Sequence, residues 1–333
     1  MRKRVLIRHF HILLATIKLN CFHIVKACYQ DLSIELHMAS QYNFTKLMKR
    51  IGILYHPMIQ AAHDLARRLE SYFNSKGLTT WSCSAWDSKK AINSLDKTNL
   101  ILSIGGDGTI LRAVQVAMLD LIPVTGINLG RLGFMTELSA EDVPDKLTEL
   151  LQGGGWIDRR RMLEAELLPI KTNETHQVYH ALNDIVLARG AIARMVNIVT
   201  SINEQQFINY KADGIIIATA TGSTGYSLAA GGPILHPHSE DILLVPILPH
   251  LSPHYPLVLP SSTKISLYQR SPQDATLCID GHINLQIAHN DTVTIKTSTK
   301  QAQFLRLHRE APFYGLLEEK LKGKYYVKSS RKS

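Results

Sequence analysis

Three stretches of the chain carry residues whose types and spacing suit chemistry on phosphates and sugars. The first is Gly105-Gly106-Asp107-Gly108-Thr109, which follows an apolar run ending at Ile104. Glycines there let backbone N–H groups approach phosphate oxygens closely, and the start of a helix favours negative charge. An aspartate inside such a loop makes sense if it handles a hydroxyl proton or a metal ion. The alternative is an ordinary tight turn, since Asp-Gly is a common turn dipeptide. Neither G-x-x-x-x-G-K-[ST] nor G-x-G-x-x-G occurs in the chain, so a Walker loop and a Rossmann fingerprint are excluded.

The second stretch runs from Asp213 through Gly-Ile-Ile-Ile-Ala-Thr-Ala-Thr-Gly-Ser-Thr-Gly to Tyr226, and on to Gly231-Gly232-Pro233. A buried apolar strand empties into uncharged Thr, Ser and Gly. Their hydroxyls and free amides suit sugar or phosphate oxygens, and Tyr226 can lie against a base. The third is Leu182-Asn183-Asp184, where Asn offers donor and acceptor to a purine edge and Asp accepts from ribose hydroxyls. Taken alone, it reads equally as a polar turn. His236, His238, His250 and His254 also cluster, in a proline-rich segment. No third-ligand pattern joins them, so they are read as structural and not as a zinc site.

These residues need elements to hold them. From residue 48 to about 155, strands alternate with helices: Ile51–Tyr55, a helix over 58–76 stopped by Gly77, Asn99–Ile104, a helix after the glycine loop, and Ile122–Ile127. That alternation implies a parallel sheet with helices on its faces, and ligands bind at the carboxyl ends of such strands. From about 158 come short β-like runs: Leu163–Leu168, Ile185–Ala188, Val196–Ile202, Phe207–Tyr210, Ile215–Ala218, Lys264–Tyr268, Leu277–Ile279 and Val293–Thr297. Asn203-Glu204 and Asp280-Gly281 read as hairpin turns. The prolines between 233 and 260 exclude long helices there, and Phe313–Leu321 reads as a short helix. The expected organisation is an amino-terminal extension (1–47) outside the fold, an α/β domain (48–157) and a β-rich domain (158–299). Residues 300–333 supply a strand and helix packing back on the first domain, then a basic tail.

The chain has 333 residues and a net charge of +9. Residues 1–30 carry six basic side chains and no acid, and the stretch from 320 carries six more with no acid. Setting those twelve charges aside leaves −3 for residues 31–319. A nucleic-acid footprint needs basic residues on a folded face, so no nucleic-acid partner is expected. No stretch of 18 uncharged apolar residues occurs, so no spanning helix and no membrane partner are expected. Cys21, Cys28, Cys83 and Cys278 are scattered, as suits thiols of a cytoplasmic protein. The basic start resembles a transit peptide. With Met38 and Met48 just before the first strand, a mis-assigned start or a dispensable tail is the preferred reading.

In this order and at this spacing, GGDGT, LND and DGIIIATATGSTGYSLAAGGPILHP resemble the NAD kinase family, over about residues 48–321. The long Thr/Ser/Gly motif is specific, whereas GGDG alone is shared with lipid kinases and phosphofructokinases. The resemblance implies the fold of NAD kinases and diacylglycerol kinases: an α/β amino-terminal domain with a parallel sheet, plus a β-rich carboxyl-terminal domain. It implies transfer of the γ-phosphoryl of ATP to the adenosine 2′-hydroxyl of NAD, with Mg²⁺ or another divalent metal. Asp107 would contact that hydroxyl and act as general base. Gly105, Gly106, Gly108 and Thr109 would hold phosphates, with Gly108 also beside the NAD. Phe134 would line the dinucleotide pocket. Asn183 and Asp184 would hold the adenosine half, beside Thr221, Thr224, Gly225 and Tyr226. Asp213 would approach the nicotinamide end in a site completed by a second subunit of a homo-oligomer, dimer or tetramer.

Departures from the family pattern are Asp184 for Glu, Gly225 for Ala, and Lys211-Ala212 before Asp213. They touch substrate preference rather than reaction class. Two rivals remain at this point. One is a lipid kinase sharing the glycine loop, which lacks the long signature. The other is a dinucleotide sensor, which would have no need of Asp107.

Overall fold

The computed structural model describes residues 48–130, 133–152, 154–168, 177–190, 194–307, 313–315 and 317–318. The amino-terminal extension, Leu132, positions 316 and 319–321 of the expected 313–321 helix and the basic tail lie outside the described residues, while 313–315 and 317–318 are helical.

Four parallel strands begin the fold: β1 (Arg50–Tyr55), β2 (Thr79–Ser84), β3 (Leu100–Ile104) and β4 (Val124–Asn128), in the order β2-β1-β3-β4. β3 and β4 are buried at every position because helices cover both faces of the sheet. On one face, helix α1 (Gln60–Ser75) lays Ala62, Leu65, Ala66, Leu69 and Phe73 against Ile51, Ile53, Leu100 and Leu102. Its apolar residues recur at helical spacing, and Gly77 ends it with φ 78°, so that Leu78 N–H reaches the Phe73 carbonyl at 3.0 Å. On the other face, helix α3 (Asp107–Ala117) packs Ile110, Ala113 and Val114 on Leu54 and Ile101. The short α2 (Ser88–Asn93), α4 (Val143–Leu151) and the two-residue β5 (Leu138–Ser139) complete this layer.

The remainder is a sandwich. Strands β8 (Asp184–Arg189), β11 (Gly214–Ala218), β12 (Ile242–Ile247), β13 (Leu257–Leu259), β15 (Ala275–Ile279) and β16 (Ile283–Ile287) form an antiparallel sheet in the order β13-β12-β11-β8-β15-β16. It faces β6 (Trp156–Leu168), β7 (Gln177–Ala181), β9 (Val196–Ile202), β10 (Gln205–Ala212), β14 (Ile265–Gln269) and the first half of β17 (Thr292–Arg306). β11 alternates between two environments. Ile215 and Ile217 enter the inter-sheet core, while Ile216 and Ala218 pack under Ala230 and Leu235 on the outer face. That explains an uninterrupted Ile-Ile-Ile run in a strand. The turns at Asn203-Glu204 and Asp280-Gly281 both place two residues at positive φ, the type I′ geometry that matches strand twist.

β6 and β17 pair over almost their whole lengths and form a ribbon through both layers. β17 joins β14 at Ile265–Tyr268 and then β4 at Val124, with its register broken between Thr297 and Gln301. The 157/158 and 299/300 divisions drawn from sequence therefore fall inside continuous strands. The texture of the sequence changes where β6 gains a sandwich partner, whereas the backbone pairing carries straight on. The proline-rich segment holds β12 and β13, with Pro246 beyond the residues that β13 pairs.

Candidate active site

The glycine loop connects β3 to α3. Gly105 N–H continues the sheet ladder to the Ile127 carbonyl at 2.9 Å, and the Gly106 carbonyl accepts the first helical bond, from Thr109 N–H at 2.9 Å. A Cβ on Gly105 would collide with the buried Thr109 side chain, so the turn can only be this tight with glycine. Gly106 and Gly108 are exposed, and the first N–H groups of α3 lack intrahelical acceptors.

Asp107 is half-buried at the first position of α3. Its carboxylate accepts from Phe134 N–H at 3.0 Å and Met135 N–H at 3.1 Å. Gly133 makes this possible, because a Cβ there would strike the carboxylate. The Phe134-Met135 pair thus grips the candidate base through its backbone, and the Phe134 side chain is half-buried. Behind this segment stands Arg306, a buried guanidinium that donates to the Met135 carbonyl at 2.9 Å, to Glu137 at 3.3 Å and to Asp158 at 3.2 Å. Asp158 also takes Arg160 and His238. Burial raises its pKa, but Arg160, Arg306 and His238 outweigh that and hold it at about 2.

The Asn183-Asp184 turn is built on Asp280, from the β15–β16 hairpin. Asp280 is 4% exposed and accepts from Leu182 N–H at 2.9 Å, Asn183 N–H at 2.7 Å and Asp184 N–H at 3.2 Å. Gln115 of α3 donates to the same carboxylate at 3.0 Å and to the His180 carbonyl at 2.6 Å. The helix that begins with Asp107 is therefore tied to the Asn183 turn. Burial raises the pKa of Asp280, and burial with the neighbouring Asp280 charge lifts Asp184 to about 7.

The Thr/Ser/Gly run closes on the same turn. Thr219 donates its hydroxyl to the Leu182 carbonyl at 2.6 Å and its N–H to the Asn183 carbonyl at 2.9 Å. Gly222 lies so close to Asn183 that any side chain there would overlap its backbone. Instead of a regular helix, the run makes a 3₁₀ turn (Thr221–Thr224) and the one-turn α5 (Tyr226–Ala229). Ser223 does not cap it. Its hydroxyl donates to Ala220 at 2.7 Å and accepts from Leu235 N–H at 3.0 Å. Gly225 and Tyr226 are exposed, Thr221 and Thr224 half-buried, and Gly225 sits against the Asn183 amide and the Asp184 carboxyl. Asn183 Oδ1 is buried with no hydrogen-bond partner among the described residues.

Asp213 stands apart. It directly precedes β11, at the end opposite Thr219 and about 20 Å away at strand rise, and pairs with Arg189 at 3.4 Å. His238 is bonded to Asp158, and His236 packs on Phe313, as the structural reading of these histidines expects. Asp280, Gln115, Thr219, Gly133 and Arg306 were not singled out as site residues in the sequence. Asp280 had one signal, the Asp-Gly turn, and that signal spoke only of a hairpin.

Comparison with known proteins agrees with this geometry. The family model of the ATP-NAD kinase N-terminal domain matches residues 12–155, and that of the ATP-NAD kinase C-terminal domain matches residues 182–307. The NAD kinase of Dehalococcoides mccartyi is 50% identical over 277 residues, covering 83% of this chain and 97% of its own. That of Chloroflexus aggregans is 34% identical over 276 residues, 83% and 99%. The crystal structure of yeast NADH kinase complexed with NADH superposes with a TM-score of 0.73 at 24% identity, covering 86% of this chain and 89% of that one. The NAD kinase from Archaeoglobus fulgidus in complex with ATP gives 0.64 at 25% identity, 81% and 98%. On both family models and on these relatives, the chain belongs to the NAD kinase family.

Proposed function

We propose that the chain transfers the γ-phosphoryl of ATP to the adenosine 2′-hydroxyl of NAD, giving NADP and ADP. One observation carries the reading: α3 presents Asp107 at its amino end and, one face further along, fixes the Asn183 turn through Gln115 and Asp280. A half-open carboxylate and the Asn183 turn are thus held by one helix. Asn183, with its unpartnered acceptor, and Asp184 take the adenosine half, with Thr221, Thr224, Gly225 and Tyr226 as the wall beside them. Asp107 accepts the 2′-hydroxyl proton while the glycine loop and helix start stabilise the phosphates. Phosphoryl transfer proceeds through a loose transition state, so orientation and charge neutralisation supply most of the acceleration.

Among the described residues no group of three or more His, Cys, Asp or Glu could hold a metal ion. Mg²⁺ or another divalent cation would accompany the donor's phosphates and neutralise their charge. The same reading includes a homo-oligomer, dimer or tetramer. Asp213 cannot reach the Asn183 turn of its own chain, and the loop beside it exposes Leu248, Leu251 and Tyr255, Leu251 by 95%. A second copy seated there would cover those side chains and bring Asp213 to a dinucleotide. Cys83 and Cys278 are free thiols, which suits the cytoplasm, and neither nucleic acid nor membrane enters the reading.

The test incubates the full chain with NAD, ATP and Mg²⁺ and follows NADP with an NADP-specific dehydrogenase. NADP formation is expected. A folded protein that binds NAD yet forms no NADP would instead be a dinucleotide sensor.

A further inference from the structure

Beside the glycine loop lies a cleft of about 380 Å³ whose lining includes Gly106, Gly108, His56, Trp86, Arg112 and the Asp280–His282 turn. Phe134, Asn183, Thr224 and Tyr226 do not line it. Neither Asp107 nor the 133–135 segment that grips it is in the lining.

Arg112 is the residue that gives this cleft a chemistry. It follows Gly108 by four positions, so the two share one face of α3, and helical side chains lean toward the amino end. A Cβ on Gly108 would meet nothing within 4 Å, so the surface ahead of Arg112 is open. Its guanidinium lies 4.3 Å from the centre of the Trp86 ring and makes no ion pair among the described residues. Burial lowers its pKa without a carboxylate to offset the effect. A cation reaching back over a helix amino terminus is unfavourable unless an anion lies between the two. Trp86 is 44% exposed, and its other neighbour, His56, meets it edge-on at 4.6 Å between ring centres. Open aromatic surface beside a phosphate-binding loop and an unpaired guanidinium is the combination that takes a nucleotide: phosphates on the loop and Arg112, base on the indole.

We infer that Trp86 and Arg112 form the nucleoside subsite of the phosphate donor, with Trp86 reading the base and Arg112 steering the polyphosphate toward the glycine loop. The inference rests on the kinase reading above, and it adds a donor selection: a nucleoside triphosphate is preferred over a polyphosphate without a base. Trp86 is the specificity residue, because a base-free donor makes no use of it.

The experiment measures binding, so it does not depend on turnover. ATP, inorganic tripolyphosphate and NAD, each with Mg²⁺, are titrated calorimetrically into the full-length wild type, Trp86→Ala, Trp86→Phe and Arg112→Ala. Stacking on an aromatic side chain is worth about a tenfold change or more in affinity, so Trp86→Ala should weaken ATP by about tenfold. Trp86→Phe should recover most of that loss, and Arg112→Ala should weaken both phosphate ligands. NAD affinity should hold in every variant. ATP binding by Trp86→Ala within about twofold of wild type, or a parallel loss of NAD affinity, would overturn the subsite. Failure of the wild type to form NADP would count against the kinase reading alone, since the ATP titration still decides the cleft.

Discussion

Asp107 and Asp280 are both aspartates of an Asp-Gly dipeptide, and both hold a neighbouring loop by accepting its backbone N–H groups. They differ in how much acceptor capacity is left. Asp107 is half-buried and takes two N–H groups, from Phe134 and Met135, so its carboxylate keeps lone pairs facing open space. Asp280 is buried and takes three N–H groups and the Gln115 amide, which fills it. A carboxylate with spare acceptor sites at a cleft can receive a proton from a substrate. One saturated from all sides can only hold backbone. The comparison assigns chemistry to the first and architecture to the second, although their local sequences look alike.

The largest expected effect tests the first half of that contrast. Asp107→Asn should lower kcat by about 10²–10⁴-fold, the worth of a general base. One of the two gripping N–H groups would then face an NH₂ in place of an acceptor, at a cost of about 1–3 kcal/mol. Steady-state kinetics with thermal melting separates the two effects. A kcat near wild type would remove Asp107 from proton transfer.

Asp280→Ala reverses the pattern. It leaves three backbone N–H groups unpaired and the Gln115 amide with the His180 carbonyl alone, and should cost about 3–5 kcal/mol of stability, as losing one partner of a buried charged network does. Activity should fall through KM for NAD, because the Asn183 turn loosens, with kcat less affected. Denaturant unfolding and an NAD titration read both. A fall in kcat as deep as that of Asp107→Asn would erase the distinction between the two residues.

Arg306→Leu reaches Asp107 from a distance. It removes the donor to the Met135 carbonyl and leaves Asp158 with Arg160 and His238 alone. We expect about a tenfold loss of kcat, the scale of one lost hydrogen bond at a positioning residue. NAD affinity measured at equilibrium should be nearly unchanged. A change confined to melting temperature would show Arg306 to be scaffold only.

The smallest effect is a pH dependence. Asp184 has a pKa of about 7 in the fold and an ordinary carboxyl value, 3.8, when unfolded. Its protonated form is favoured by folding, so that contribution is full below about pH 4 and is lost as pH rises through 7. Melting curves from pH 5 to 8 should fall more steeply for wild type than for Asp184→Asn. Equal slopes would mean that Asp184 ionises freely and that the Asp280 charge does not reach it.

Much of the α/β half was legible because its signals are local. The periodicity of α1, the glycine at its end and the apolar β1 and β3 each follow from a few neighbouring residues. The positive-φ pairs at Asn203-Glu204 and Asp280-Gly281 did too. The first half of β6 was not legible. Asp158-Arg159-Arg160-Arg161 carries no apolar residue to mark a strand, yet Asp158 is buried and Arg160 nearly so. Asp158 pairs there with Arg160 and with Arg306, the latter 148 positions away. β12 was hidden by its proline, Pro246, which is tolerated because the strand's outer edge is only partly paired.

The sequence by itself determined the strand–helix alternation of the first domain, the β texture of the second, the glycine loop with its aspartate, the Thr/Ser/Gly run and the family they belong to. These depend on backbone freedom, side-chain size and short-range periodicity, which one stretch of chain carries alone. Only the tertiary structure decided which aspartate is free and which is saturated, that Gln115 couples the loop helix to the Asn183 turn, and that Trp86 and Arg112 share one cleft. Hydrogen-bond saturation and burial are properties of groups brought together from distant positions, and no local pattern encodes them.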